Sequence, residues 1–282
     1  MSVGWLLDAT VFDAYHDELA AAIVRNGDIV KSLNRPNPPY GWEDTDNSYR
    51  GAFAEKSCVI THADIDLVNR VRRDGIWTPG VIATLENFHC SHYFSHFGRF
   101  LLNRDYVMLP FGELERRADF LFQTFGRDGK IFVRPDSPLK LFTGLLADRA
   151  NYARDLEFMA FYEFPMESLV VVSSPKRIDA EWRFVIADQS VVAGSLYKSS
   201  NPLDASPQND VGARQLVDEI LATGYSPDPV WVMDICRTID GVYQLLEIGC
   251  FSFANLYSCD KDAVVRAVSA VAVTMHQSRW AT

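Results

Sequence analysis

The chain has 282 residues, of which 48% are hydrophobic, and a formal net charge of −10 at pH 7. This composition is typical of a globular protein with one large or two smaller domains, and it argues against a disordered chain. Because binding to a nucleic-acid backbone depends on clustered Lys and Arg, the acidic balance argues against a nucleic-acid partner.

The first hundred residues alternate between strand-like and helix-like patterns, which predicts a small α/β domain at residues 1–103. In chain order the predicted elements are a helix at 12–25, a proline-rich loop at 34–41, a strand at 58–61, a helix at 63–73 and a helical region at 82–102. The order of the strands in the sheet does not follow from this pattern.

The pattern of the remaining residues, 104–282, is mainly that of paired strands. The predicted elements are a connector at 102–110, a helix at 113–124, strands at 131–134, 157–162, 169–173, 182–186 and 191–197, a polar loop at 199–210, a helix at 211–222, a hairpin at 233–249 and a last helix from about residue 262.

Five cysteines, none of them in a Cys-x-x-Cys pair, indicate neither a disulfide framework nor a structural zinc site. The sequence shows no signal peptide and no run of about 20 apolar residues that could span a membrane. We therefore expect a cytoplasmic protein that does not associate with membranes.

The hairpin is the most informative feature, because it is expected to place two carboxylates opposite each other. Asp240-Gly241 favours a two-residue turn, which pairs Ile239 with Val242 and Asp234 with Glu247. Directly opposed side chains lie about 5 Å apart, and like charges at that distance are destabilising. A hard cation such as Mg²⁺ would neutralise them.

Three other interpretations of the hairpin remain open. One acid could face solvent, or it could pair with Arg237. The hairpin could also slip by one residue, since its register depends on the turn.

A second signal is a basic strand followed by a turn of small residues. Strand alternation places Lys130, Phe132 and Arg134 on one face, and the following turn presents Lys140 beside Gly144. A planar guanidinium and an ammonium at fixed positions suit a polyphosphate. The alternative is a solvated strand edge with a tight turn.

Three further patterns carry weaker signals. Glu181 and Arg183 share a strand face, which fits an ion pair or a site. The apolar run 169–173 is a buried strand, or an edge against which an adenine stacks. The histidines at 89, 92 and 96 lie on one helix face, but their aromatic neighbours favour packing over metal binding.

In this order, the motifs resemble the ATP-grasp superfamily, in particular a mainly bacterial and phage branch with an arginine-lysine signature. The similarity spans about residues 100 to 260. The motifs that carry it are Phe132-Val-Arg-Pro-Asp-Ser-Pro-Leu-Lys-Leu-Phe-Thr-Gly144, Glu181-Trp-Arg-Phe184, Ala193-Gly-Ser-Leu-Tyr197, Met233-Asp234 and Leu246-Glu-Ile-Gly249.

The resemblance implies an α/β (α+β) ATP-grasp fold, with a small lobe at about 104–172, a large lobe at about 173–282 and ATP between them. It implies ATP and Mg²⁺ as cofactors and a ligase that joins a small-molecule or peptide carboxylate to an amine through an acyl-phosphate, releasing ADP. A homodimer is left open. The loop at 199–210 is expected to close over ATP.

The resemblance also assigns roles to individual residues. Arg183 and Lys140 would be catalytic, and Asp234 and Glu247 would bind the metal. The nucleotide would be bound by Lys130, Arg134, Lys140, Val171, Val172, Ser173, Glu181 and Arg183.

One position departs from the family pattern. Members usually have Glu-x-Asn on the last metal-binding strand, whereas this chain has Gly249 at the third position. Water or Asn255 would then complete the metal site. Otherwise the chain is a degenerate nucleotide-binding protein, and a phosphotransferase for a non-carboxylate acceptor is a third alternative.

Overall fold

The computed structural model describes residues 1–34, 47–161, 163–200 and 210–280. Within them the chain forms three four-stranded sheets. None of the helices in these ranges is long and apolar enough to cross a membrane. The predicted proline-rich loop and the predicted loop at 199–210 lie mostly outside the described residues.

The first sheet is parallel and has the order β2-β1-β3-β4. Its elements are β1 (Gly4–Asp8), α1 (His16–Arg25), β2 (Ile29–Leu33), β3 (Cys58–His62), α2 (Ile65–Asp74) and β4 (Thr78–Gly80). The Asp64 side chain caps α2 by accepting a hydrogen bond from the backbone N–H of Leu67, and Gly75 ends the helix in the left-handed conformation.

The second sheet is antiparallel and has the order β5-β8-β6-β7. The elements that precede and form it are α3 (Cys90–Phe97), β5 (Tyr106–Pro110), α4 (Ala118–Phe125), β6 (Lys130–Pro135), β7 (Leu145–Asp148), α5 (Tyr152–Ala160) and β8 (Leu169–Ser173). Its apolar face has a hydrophobic core of its own, which contains Ile131, Val133 and Val172.

The third sheet is antiparallel and has the order β10-β9-β11-β12. Its elements are β9 (Ile178–Ala187), β10 (Ser190–Ser199), α6 (Val211–Leu221), β11 (Val230–Thr238), β12 (Tyr243–Cys250) and α7 (Lys261–Trp280). The first and third sheets share two hydrophobic cores, and α7 packs against α1 as well as β3 and β4.

Helix α3 joins the second sheet to the third. The Phe97 ring stacks on Trp231 of β11 at 6.3 Å, whereas the Phe94 ring meets Tyr106 of β5 edge-on at 4.9 Å. Asp136, directly after β6, accepts hydrogen bonds from the backbone N–H and hydroxyl of Ser91. This helix therefore fixes the end of the basic strand relative to the third sheet.

Four predictions about the elements need correction. Residues 152–160 form a helix, not a strand at 157–162; Tyr152 and Met159, seven residues apart, are the buried positions, as expected for a helix with one face on the sheet. The connector at 102–110 contains strand β5, and the helical region at 82–102 contains only the short helix α3 and single turns. Strands β1, β4 and β7 were not predicted.

Candidate active site

The turn of the hairpin differs from the predicted one. The N–H of Gly241 donates to the carbonyl of Thr238 and the N–H of Thr238 donates to that of Val242, both at 2.9 Å. These bonds close a loop of residues 239–241, in which Gly241 has φ 79°. This is the three-residue loop with a glycine bulge, so the predicted pairing of Ile239 with Val242 is wrong.

The two acids nevertheless lie opposite each other. Ile235 pairs with Leu245, whereas the next pair is Asp234 with Glu247, so Leu246 is an extra residue on β12. This bulge shifts the register by one residue and compensates for the longer turn. The carboxylates therefore share one face of the third sheet, as the sequence predicted.

Arginines from two different sheets neutralise the two acids. Arg183 of β9 lies opposite Asp234, and its Nε and Nη2 donate to the two carboxylate oxygens at 2.8 and 2.7 Å. Arg134 of β6 donates to Glu247 at 3.0 Å. The second bond joins the second sheet to the third. Arg237, the partner considered from the sequence, binds Asp179 instead.

Burial and charge act on the two carboxyls in opposite balance. Burial raises the pKa of Asp234 above its ordinary value, and the Arg183 guanidinium opposes this shift without cancelling it. Burial also disfavours ionised Glu247, but the positive charges of Arg134, Arg183 and Lys140 together lower the pKa of Glu247 below its ordinary value. Lys140 is therefore close enough to act on this site.

Lys140 lies on an irregular segment that is anchored on both sides. Before it, Asp136 binds the start of α3, as described above. After it, Phe142 is buried in the core of the second sheet, 5.4 Å from the Phe164 ring. Lys140 itself is exposed and has φ 51°. The segment thus presents one ammonium between two fixed points.

Two tyrosines surround Arg183. The rings of Tyr197 and Tyr257 stack at 4.6 Å, and the guanidinium carbon lies 5.7 and 5.2 Å from their centroids. The Tyr197 hydroxyl contacts Glu181 at 2.8 Å and Asp234 at 3.4 Å. Arg183 also donates to the carbonyl of Asn255 at 3.0 Å. Glu181 and Arg183 therefore have separate partners instead of pairing with each other.

The remaining nucleotide-binding candidates divide between two faces of the second sheet. Arg134 pairs with Val171 and Phe132 with Ser173, so those residues face the cleft between the second and third sheets. Val172 points into the opposite core. Lys130 is exposed and lies about 13 Å along the strand from Arg134, so it is not brought to the two acids.

Gly249 faces the same side as Glu247 and has little free space. A Cβ atom there would lie 3.2 Å from the Cγ2 of Val232. The side chain of Asn255 accepts a hydrogen bond from the N–H of Tyr257 at 2.7 Å. In the described ranges, no group of three or more His, Cys, Asp or Glu residues could hold a metal, so Asp234 and Glu247 are two protein ligands at most.

The helix histidines do not form a site. His89 contacts Asp136 at 2.8 Å, whereas His96 stacks on Tyr225 at 3.7 Å with His92 beside it. The packing interpretation is therefore the one that the structure supports.

Sequence reasoning did not assign Tyr197, Tyr257 or the Asn255 carbonyl to the site. Tyr197 lies within a motif that the resemblance used, and that position was the only available signal for it. Tyr257 and Asn255 follow the last strand in an irregular segment, where no periodicity relates a residue to a sheet face.

Comparisons with known proteins agree on the fold. A family model for an ATP-grasp domain, family 3 of the clade with the arginine-lysine signature, matches residues 105–268. The structure of D-cycloserine synthetase DcsG gives a TM-score of 0.64 at 14% identity, covering 96% of this chain and 100% of that one. No curated protein matches the sequence significantly.

Two further solved structures are similar over nearly their whole length. D-alanine–D-alanine ligase from Bacillus anthracis, complexed with ATP, gives a TM-score of 0.61 at 12% identity over 99% of both chains. The ATP-grasp ligase PsnB, complexed with a minimal precursor, gives 0.57 at 12% identity over 96% of this chain and 99% of that one. At such identities the likeness shows the fold alone.

Proposed function

The chain belongs to family 3 of the arginine-lysine clade of ATP-grasp proteins, and from this we propose that it is an ATP- and Mg²⁺-dependent ligase that joins a carboxylate to an amine and releases ADP. The observation that carries the proposal is the pairing of two opposed acids with two arginines from different sheets. A nucleotide between those sheets would meet cations from one and metal ligands from the other.

The residues present suit the nucleotide and the metal. Mg²⁺ is commonly held by one or two carboxylates together with substrate phosphates and water, so Asp234 and Glu247 are enough. An ionised carboxylate has about four acceptor positions, and the arginines leave some of them free. Arg134 and Lys140 would bind phosphates, while Val171 and Ser173 would line the adenine edge.

We propose the lobes to be residues 104–172 and 173–282, which contain the second and third sheets, preceded by an N-terminal domain at residues 1–103. The bound metal would supply positive charge to the phosphates. A small-molecule or peptide carboxylate and an amine would enter the cleft beside Arg183.

In the proposed reaction, an oxygen of the substrate carboxylate attacks the γ-phosphorus, and ADP leaves. The amine nitrogen then attacks the acyl carbon, inorganic phosphate leaves, and the nitrogen loses a proton as the amide forms. Arg183 has five N–H groups, of which three bind Asp234 and Asn255. Two remain to stabilise charge on the transferring phosphoryl group, so its role is electrostatic.

The proposal is tested by measuring ADP release with panels of acids and amines. Glu247→Gln should reduce release at least about a hundredfold, because one metal ligand loses its charge. Glu86→Gln is the matched control, because the Glu86 side chain is 74% exposed and pairs only loosely with Arg72. Equal rates for the wild type and Glu247→Gln would refute the assignment.

Gly249 favours one alternative, a nucleotide-binding protein without catalysis. In that case ATP would bind tightly without turnover across the whole panel. Mass analysis of the products also separates ligation from phosphoryl transfer to a non-carboxylate acceptor, because transfer yields a phosphorylated product and no amide.

A further inference from the structure

Lys261, the first residue of α7, is a buried cation outside the set of proposed site residues. Its side chain is 1% exposed, a rare position for lysine. Nζ donates to the carbonyls of Tyr257 at 2.6 Å and Cys259 at 2.7 Å, and it lies 4.8 Å above the Tyr15 ring. Glu18, on the surface, is 3.6 Å away. These partners compensate the charge for its loss of water.

Both carbonyls belong to the 255–259 segment, which supports Arg183. The Asn255 carbonyl accepts from Arg183, and the Tyr257 ring lies 5.2 Å from its guanidinium. The segment begins five residues after β12 and ends two before Lys261. An irregular stretch has no ladder hydrogen bonds to fix it, so its position depends on contacts of this kind.

The conformation of the segment needs external support. Tyr257 has φ 46°, a left-handed conformation that costs a residue with a side chain about 1–2 kcal/mol. Two neighbouring N–H groups are held from outside: that of Leu256 donates to the Tyr15 hydroxyl at 3.1 Å, and that of Ser258 donates to Ser195 Oγ at 3.2 Å. Lys261 adds a hold on two carbonyls at once.

We infer that Lys261 is a positioning residue for Arg183, acting through the 255–259 segment. This inference rests on the proposed function for its effect on catalysis, but its structural part does not. Lys261 contacts no proposed substrate position. Its loss should therefore lower the rate of ADP formation and leave ATP affinity, to which Arg134 and Lys140 contribute, nearly unchanged.

Lys261→Met tests the inference, because Met keeps most of the length of the side chain and removes the charge and its donors. We expect ADP formation at saturating substrate to fall at least about tenfold, since small displacements of a charge-stabilising group are costly. The Kd for ATP should stay within about twofold. Val68→Ala, a core truncation on α2, controls for lost stability, and Lys31→Met controls for the substitution itself.

Two measurements report on the segment without requiring turnover. Amide exchange in peptides covering 255–259 should become about tenfold faster in Lys261→Met and stay unchanged in Val68→Ala. The Nε–H NMR signal of Arg183, assigned with Arg183→Lys, should weaken or shift in Lys261→Met alone. If exchange and this signal are both unchanged, or if the rate falls no more than in Val68→Ala, the inference is wrong.

These outcomes remain distinguishable from failure of the proposed function. If no variant, nor the wild type, releases ADP, the ligase proposal fails, and the exchange and NMR measurements still decide the role of Lys261. If Lys261→Met does not fold, Ser195→Ala removes a weaker support of the same segment. The same changes, smaller in size, then support the inference, and their absence overturns it.

Discussion

Replacing Asp234 by Asn is expected to lower the free energy of unfolding by about 3–5 kcal/mol, because it leaves the Arg183 charge buried without its counterion. Both side chains are well buried, Asp234 to 1% exposure and Arg183 to 10%. Two charge-assisted hydrogen bonds, at 2.8 and 2.7 Å, are weakened together. Each such bond contributes about 1.5–3 kcal/mol, which agrees with the total.

A double-mutant cycle with Arg183→Met separates this pair from other effects. We expect a coupling energy of about 2–3 kcal/mol, near the upper end for residues in contact. Arg134 and Glu247 form the comparison, because their side chains are 18% and 30% exposed and share one bond. Solvent screening should reduce their coupling to about 1 kcal/mol or less.

The assay for both cycles is urea unfolding followed by tryptophan fluorescence at fixed pH and salt. The linear dependence of the unfolding free energy on urea gives each value, and unchanged slopes show that the transitions are comparable. A coupling for Arg183 and Asp234 that does not exceed that of the second pair would refute the assignment of the first as the rigid, buried element of the site.

Three further predictions concern single positions. Burial raises the pKa of Asp228, so the wild type loses stability as pH rises from about 3.8 through that raised pKa. Asp228→Asn should therefore be the more stable form at neutral pH, with a gain that shrinks towards pH 4 in thermal melts; a gain independent of pH would contradict this. Gly249→Asn should cost about 1–3 kcal/mol through contact with Val232 but lower the Mg²⁺ concentration needed for half-maximal ADP release; an unchanged requirement argues against a metal beside Glu247. His96→Ala should lower stability by about 1 kcal/mol through the lost stacking on Tyr225, and chelators should not change the melting temperature of the apoprotein, as they would if the helix held zinc.

The site could be predicted from the sequence where periodicity decides which face a residue occupies. Alternation placed Arg134 on the face opposite the Ile131 and Val133 core, and the structure agrees. The opposition of Asp234 and Glu247 was also predicted, but two errors cancelled. The turn is one residue longer than expected, and a bulge at Leu246 restores the register.

The parts that could not be predicted depend on contacts between distant segments. Nothing local shows that Asp136 binds the start of α3, or that the Asn255 carbonyl receives a hydrogen bond from Arg183, because both contacts are set by how elements pack. The aromatic run within α5 resembles a strand, since β-propensity and burial on one helix face use similar residues. Only the tertiary position of the segment resolves that ambiguity.

The most direct test of the central claim is the stability of the wild type with ATP and Mg²⁺. A ligand that binds only the folded state stabilises it by about 2.7 kcal/mol at a hundred times its Kd. We expect the melting temperature to rise with ATP and Mg²⁺ together, and the rise to be much smaller in Arg134→Met. A melting temperature that does not change at millimolar ATP and Mg²⁺ would contradict the account.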